Sequence, residues 1–257
     1  MIFEFPSEDN WRRISCTFPF EKLSIPINSF NQYSGEINNL EHIEHICTDI
    51  ELNELTEHLQ SRLRDVYISY VMLCFYFDKG IPDGQWFISP GMNGESVQYF
   101  PHFTEYDFHV KNLFDFYADT FYYKLFSVVD TIGHILNIVH NLEIQEPNLK
   151  NVMKELKKKN PDIYKKLMEF KEEPAFKDAS KYRNEITHNF LPGVVSGIIT
   201  SFSDVNALEV EKNLTSIGVG KYVPSATIRQ NVVDVLYVFV EILDYLKKDG
   251  KQSVVKP

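Results

Sequence analysis

Apolar residues recur at three- and four-residue intervals over long stretches of this chain. Leu52, Leu55, Leu59, Leu63, Val66, Tyr70, Leu73 and Phe77 predict a first long amphipathic helix. Thr48 and Glu51 have capping-box spacing at its start, and Gly80 and Pro82 end it. A second long helix is predicted over 106–142, with Phe121, Leu125, Val129, Ile132, Ile135, Leu136 and Val139 on its broad apolar arc. A shorter pair follows, split at Asn160-Pro161, where Asn serves as N-cap and Pro as the first helical residue. A helix over 175–190 stops at Pro192-Gly193. The last begins near Ser225 or Thr227, buries Ile228, Val232, Val235, Leu236, Phe239, Leu243 and Leu246, and closes with Lys247, Lys248 and Gly250.

Elsewhere the periodicity lapses. Residues 1–45 mix aromatics, prolines and asparagines, and read as an irregular N-terminal arm. The stretch 79–104 is rich in Gly and Pro and reads as a long loop or lid; 193–222 reads as a loop or a hairpin. The expected fold class is all-α, an up-and-down helical bundle with long inter-helix insertions. Its domains are the arm at 1–45, the bundle at 46–250 and a C-terminal tail at 251–257.

The polar faces of two helices stand out. In KYRNEITHNF, residues 181–190, the core stripe is Phe176, Ala179, Tyr182, Ile186 and Phe190. His188 lies about 200° and Asn184 about 160° around the axis from Ile186, so both point away from it. Asn184 and His188 stack as an i, i+4 pair, whereas Arg183 is about 140° from His188. A histidine in a last turn also suits the helix C-terminus on electrostatic grounds alone. On the second long helix, Asp119, Tyr123, Ser127, Asp130, His134, Asn137 and Asn141 fall within an arc of roughly 80° that carries no Lys, Glu or Arg. Such a stripe is either a wet interface or polar cleft, or a buried hydrogen-bond network.

Bulk composition narrows the function classes. A formal net charge of -10 argues against a general nucleic-acid coat protein. Lys150, Lys154, Lys157, Lys158, Lys159, Lys165 and Lys166 form a local basic run that is either a phosphate-binding patch or a solvated face. Cys16, Cys47 and Cys74 form no C-x-x-C pair, which suits a reducing cytoplasm and offers no zinc site. The N-terminus does not have the pattern of a signal peptide, and Asp234 and Glu241 interrupt the most apolar helix, so no membrane association is expected. Asp130 and His134 are i, i+4 neighbours, with His188 a conceivable third ligand, but there is no H-E-x-x-H, and no metal or other cofactor is expected. Walker, dinucleotide and nucleophile-elbow signatures are missing.

The R-N-x-x-x-H of Arg183, Asn184 and His188, late in an all-α chain, resembles the HEPN superfamily, the higher-eukaryote and prokaryote nucleotide-binding domains. With KYRNEITHN and the aromatic-rich second helix, the chain looks like a clostridial-type HEPN branch over about residues 50 to 248. The resemblance implies a HEPN-like helical bundle. It further implies a metal-independent endoribonuclease acting as a homodimer, with two motif helices facing across a cleft and RNA as substrate. Arg183, His188 and Asn184 would be catalytic, with Ser127, Asp130, His134 and Asn137 as a supporting polar cleft. Toxin–antitoxin or antiviral defence systems are the implied setting, with an antitoxin or nucleotidyltransferase as partner. The alternative is a non-catalytic HEPN-like module that binds RNA, a nucleotide or a protein; a purely structural helical dimer is a third reading.

Overall fold

The computed structural model describes residues 3–31, 40–188, 192–195, 199–205, 211–217 and 219–253. It is an all-α helical bundle. In the arm, helix α1 (Glu8–Ser15) is capped by Ser7, whose Oγ accepts from the Asn10 N–H at 3.3 Å. Two one-turn 3₁₀ segments follow, Phe20–Leu23 and Ile27–Phe30. The arm's course is irregular, yet Ile14, Phe18, Leu23, Ile25 and Phe30 are all buried in the common core. Spacing concealed this, because short helices separated by prolines leave no sustained period.

Helix α2 (Leu40–Phe77) begins eight residues before the expected cap, so Thr48 lies inside the helix rather than at its start. Its predicted apolar positions are buried or packed on the core. From Tyr70 to Tyr76 every residue is buried, so this end is encased on all sides. A two-residue ladder, β1 (Phe87–Ile88) with β2 (Gln98–Tyr99), organises the insertion before α3 (Glu105–Val139). Thr104 and Asp107 cap α3 reciprocally: Thr104 Oγ1 accepts from the Asp107 N–H at 3.3 Å, and Asp107 Oδ2 accepts from the Thr104 N–H at 2.8 Å. Arg62 reaches Thr131 while Tyr76 stacks on Tyr117, so α2 and α3 run antiparallel.

Helix α4 (Leu149–Lys159) crosses α3 at Gly133, where a Cβ would come within 2.8 Å of the Leu149 backbone nitrogen. Asn160 caps α5 (Pro161–Glu172), with Pro161 as the first helical residue, as expected. Helix α6 (Pro174–His188) carries the R-N-x-x-x-H motif; residues 189–190 of the expected helix lie outside the described residues. The 193–222 region holds an antiparallel hairpin, β3 (Ile199–Val205) with β4 (Glu211–Ile217). Helix α7 (Ser225–Ser253) buries the whole predicted stripe and continues past Gly250 into the expected tail, whose residues 254–257 are outside the described set.

Candidate active site at the end of helix α6

Aromatic packing fixes helix α6. Phe176 lies 5.4 Å from Phe126 and 4.4 Å from Phe170, and Tyr182 lies 5.6 Å from Tyr122, all between ring centroids. Those pairings make α6 antiparallel to α3, so its last turns point toward the N-terminal half of α3. Asn231, buried on α7, accepts from the Tyr122 hydroxyl at 2.8 Å and donates to the Ala175 carbonyl at 2.9 Å. One amide thus ties three helices together at the start of α6.

The motif residues occupy the free end of that helix. Asn184 and His188 are exposed and Arg183 is half-buried. Arg183 Nη1 donates to Asn184 Oδ1 at 3.3 Å, and Thr187 Oγ1 donates to the Arg183 carbonyl at 2.8 Å. The Arg183 Nε is buried with no hydrogen-bond partner among the described residues. A buried donor left unpaired costs about 1–3 kcal/mol, more when charged. Arg229 Nε likewise has no hydrogen-bond partner among the described residues, but its guanidinium sits 5.1 Å over the Phe77 ring.

The chain's exit from α6 is tied to α3. Gly193 is buried, and its carbonyl accepts from Lys111 Nζ at 3.0 Å. Lys111, only 4% exposed, also donates to Asp115 Oδ2 at 2.5 Å and lies 5.3 Å over the Tyr222 ring. A Cβ on residue 193 would fall 2.5 Å from Asp115 Oδ1 and 2.6 Å from Lys111 Nζ, so any other residue here would displace the ends of that ion pair. Burial outweighs the pull of Lys111 and pushes Asp115 up to about 6. One turn on, burial and then the Asp115 charge push Asp119 up to about 7.

The 79–104 insertion packs beside this point as a clasp. Asp83, 2% exposed, accepts from the Tyr222 hydroxyl at 2.5 Å and from the Ser225 N–H and Oγ at 2.8 and 2.7 Å. Burial and the Asp83 carboxylate hold the Tyr222 phenol well above its ordinary range. Tyr99 donates to the Val219 carbonyl at 2.8 Å and stacks on Trp86. Between this clasp, α3 and Gly193 lies a cavity of about 340 Å³.

The four α3 residues expected to support the motif stand elsewhere in the same chain. Asp130 and His134 are exposed; Ser127 and Asn137 are half-buried. Ser127 Oγ donates to the Lys124 carbonyl at 2.7 Å. Asn137 clamps the turn after α3 through both the N–H and the carbonyl of Ile144, at 3.0 and 3.3 Å. At 1.5 Å per residue, His134 is about 18 Å along α3 from Tyr122, in the direction away from the free end of α6. These four residues therefore lie along the part of α3 that runs away from the end of α6, with Asp130 and His134 on its outer face. Its surface includes Phe116, 58% exposed, and Tyr123, 63% exposed. Phe116 went unnoticed in the sequence, although it falls in the same helical arc.

The basic run lies on α4 and α5, at the other end of α3. Lys158 and Lys166 pair with Glu155 and Glu169, Lys159 donates to the Asn141 carbonyl, and Lys157 lies 5.8 Å over the Tyr164 ring. Much of it is therefore engaged locally. Cys16, Cys47 and Cys74 are unpaired thiols, and among the described residues no helix is long and apolar enough to cross a membrane.

No curated protein and no solved structure matches the chain significantly. The family model of the HEPN_Cthe2314-like HEPN domains matches residues 55–246, which takes in α6 and most of α2 and α7 but leaves out α1. With three quarters of its length under that match and an all-α bundle that presents Arg183, Asn184 and His188 at a free helix end, this chain belongs to the Cthe2314-like HEPN family.

Proposed function

We propose that the chain is a metal-independent endoribonuclease that works as a homodimer, with the α6 helices of two copies facing across a cleft. The observation that carries this reading is the half-buried Arg183, with a buried donor that has no hydrogen-bond partner among the described residues, beside Asn184 and His188 on the last turns of α6. RNA brings its own nucleophile. The 2′-oxygen attacks the adjacent phosphorus, its proton goes to a base, and the 5′-oxygen leaves with a proton from an acid. A histidine suits either proton transfer because imidazole exchanges protons near neutral pH. The planar fork of Arg183 suits the growing charge on the non-bridging oxygens. Asn184 orients the arginine through the contact already formed. The products are a 2′,3′-cyclic phosphate and a 5′-hydroxyl.

A ribonuclease without restraint harms its own cell. The reading therefore includes a restraining partner, such as a nucleotidyltransferase antitoxin, in a toxin–antitoxin or antiviral system. Arg183→Ala is expected to abolish cleavage of single-stranded RNA while leaving helicity and oligomeric state unchanged. Full activity in that variant would remove the assignment. A second reading, a silent module that binds RNA, nucleotide or protein, is favoured by the net charge of -10 and by Asp115 and Asp119 near the exit of α6. Binding of labelled RNA without cleavage, and with no cyclic-phosphate product, would select it.

A further inference from the structure

We infer that the aromatic cavity beside the exit of α6 receives one unpaired nucleobase of the RNA, so that the 79–104 clasp is a base-selecting device. This deepens the ribonuclease reading and rests on it. The cavity, about 340 Å³, is within the range of small-molecule pockets, roughly 300–1,000 Å³. Its walls include the rings of Tyr99, Phe100, Phe103 and Phe108, with Lys111, Asn112 and Asp115 as polar groups. Flat rings suit a flat heterocycle, because every base offers a π-face. Lys111 is already engaged by the Asp115 carboxylate and the Gly193 carbonyl, which leaves it little to offer a phosphate, whereas a neutral base with N–H donors complements Asp115 and the Asn112 amide.

Placement connects this cavity to the motif. Gly193 forms part of its wall and follows His188 by five positions, so the two lie at most about 18 Å apart. A base a few nucleotides from the scissile phosphate can therefore enter the cavity while its backbone passes α6. Phe108 is the natural probe, since it is 45% exposed and meets Phe103 at 4.8 Å without belonging to the buried core. Trp86 stacks on Tyr99 at 6.1 Å between ring centroids and supplies a fluorescent reporter.

The test uses single-stranded RNA in which one abasic nucleotide is moved along the strand, with wild type, Phe108→Ala and Phe108→Tyr. Loss of one stacked base is expected to lower wild-type kcat/KM about 5- to 150-fold at a single position relative to the cut. Phe108→Ala should lose that position dependence, and Phe108→Tyr should restore it. Wild type and Phe108→Ala responding alike to the abasic series would overturn the proposal. If no RNA is cleaved at all, the ribonuclease reading fails by itself. The cavity is then judged by titrating nucleoside monophosphates against Trp86 fluorescence in a Trp11→Phe background, since Trp11 is the chain's other tryptophan. Saturable quenching that Phe108→Ala removes supports the base site, and no saturable quenching refutes it.

Discussion

At the scale of single residues, the end of α6 concentrates costs that the fold does not need. Among the described residues Arg183 keeps a buried donor unpaired, and Asp119 is held partly buried with no ion pair. A carboxyl raised to about 7 binds its proton more tightly in the folded chain than in the unfolded one, where aspartate titrates near 4. Folding stability therefore falls as pH rises from about 4 to about 7 and then levels off. Asp119→Asn is expected to stabilise the protein by on the order of 1–2 kcal/mol at pH 8 and to change little at pH 4. Denaturation of both proteins at the two pH values checks this; an equal effect at both would remove the burial argument. Gly193→Ala should cost about 1–3 kcal/mol, because its Cβ would collide with the Lys111–Asp115 pair. An unchanged Tm would mean that the approach of the chain to α3 is looser than described.

At the scale of elements, the helices were legible because each buries one stripe, and a stripe of spacing 3.6 survives in the sequence. The stripe of α7 and the Asn160-Pro161 junction are where the pattern placed them. The start of α2 was not legible. A capping-box spacing at Thr48 and Glu51 says nothing about whether helix precedes it, and Leu40 to Cys47 does precede it. The motif on α6 stands out in the sequence by residue type and spacing, while the cavity beside it does not. The cavity depends on residues around 100, 111 and 193 that are brought together by long-range contacts such as Lys111 to the Gly193 carbonyl and Tyr222 to Asp83. The available signal was Lys111 and Asp115, an i, i+4 ion pair within an otherwise apolar helix face. Asp83 is the pin of the clasp. Asp83→Ala would leave the Tyr222 hydroxyl and the Ser225 N–H unpaired, a loss of roughly 2–4 kcal/mol or about 5–15 °C in Tm. Calorimetry reads this directly, and an unchanged Tm would make the clasp peripheral.

At the scale of the whole molecule, the proposed homodimer needs a face through which two copies meet. The outer face of α3 carries Phe116 and Tyr123 exposed among small polar groups, a composition closer to an interface core than to a solvated helix. A homodimer through this face would cover both rings and bring a second copy's residues near Ser127, Asp130, His134 and Asn137. Tyr123→Lys with Phe116→Glu is then expected to shift the sedimenting mass from twice 30.0 kDa to the single-chain value and to reduce cleavage with it. An unchanged mass would place any dimer contact on another face. The central claim is that α6 ends in half of a metal-free active site. Its most direct measurement is incubation of purified wild type and His188→Ala with end-labelled single-stranded RNA and tRNA in excess EDTA. The account predicts cleavage by wild type alone, with 2′,3′-cyclic-phosphate ends. Equal cleavage by the variant would contradict it and move the chemistry away from His188.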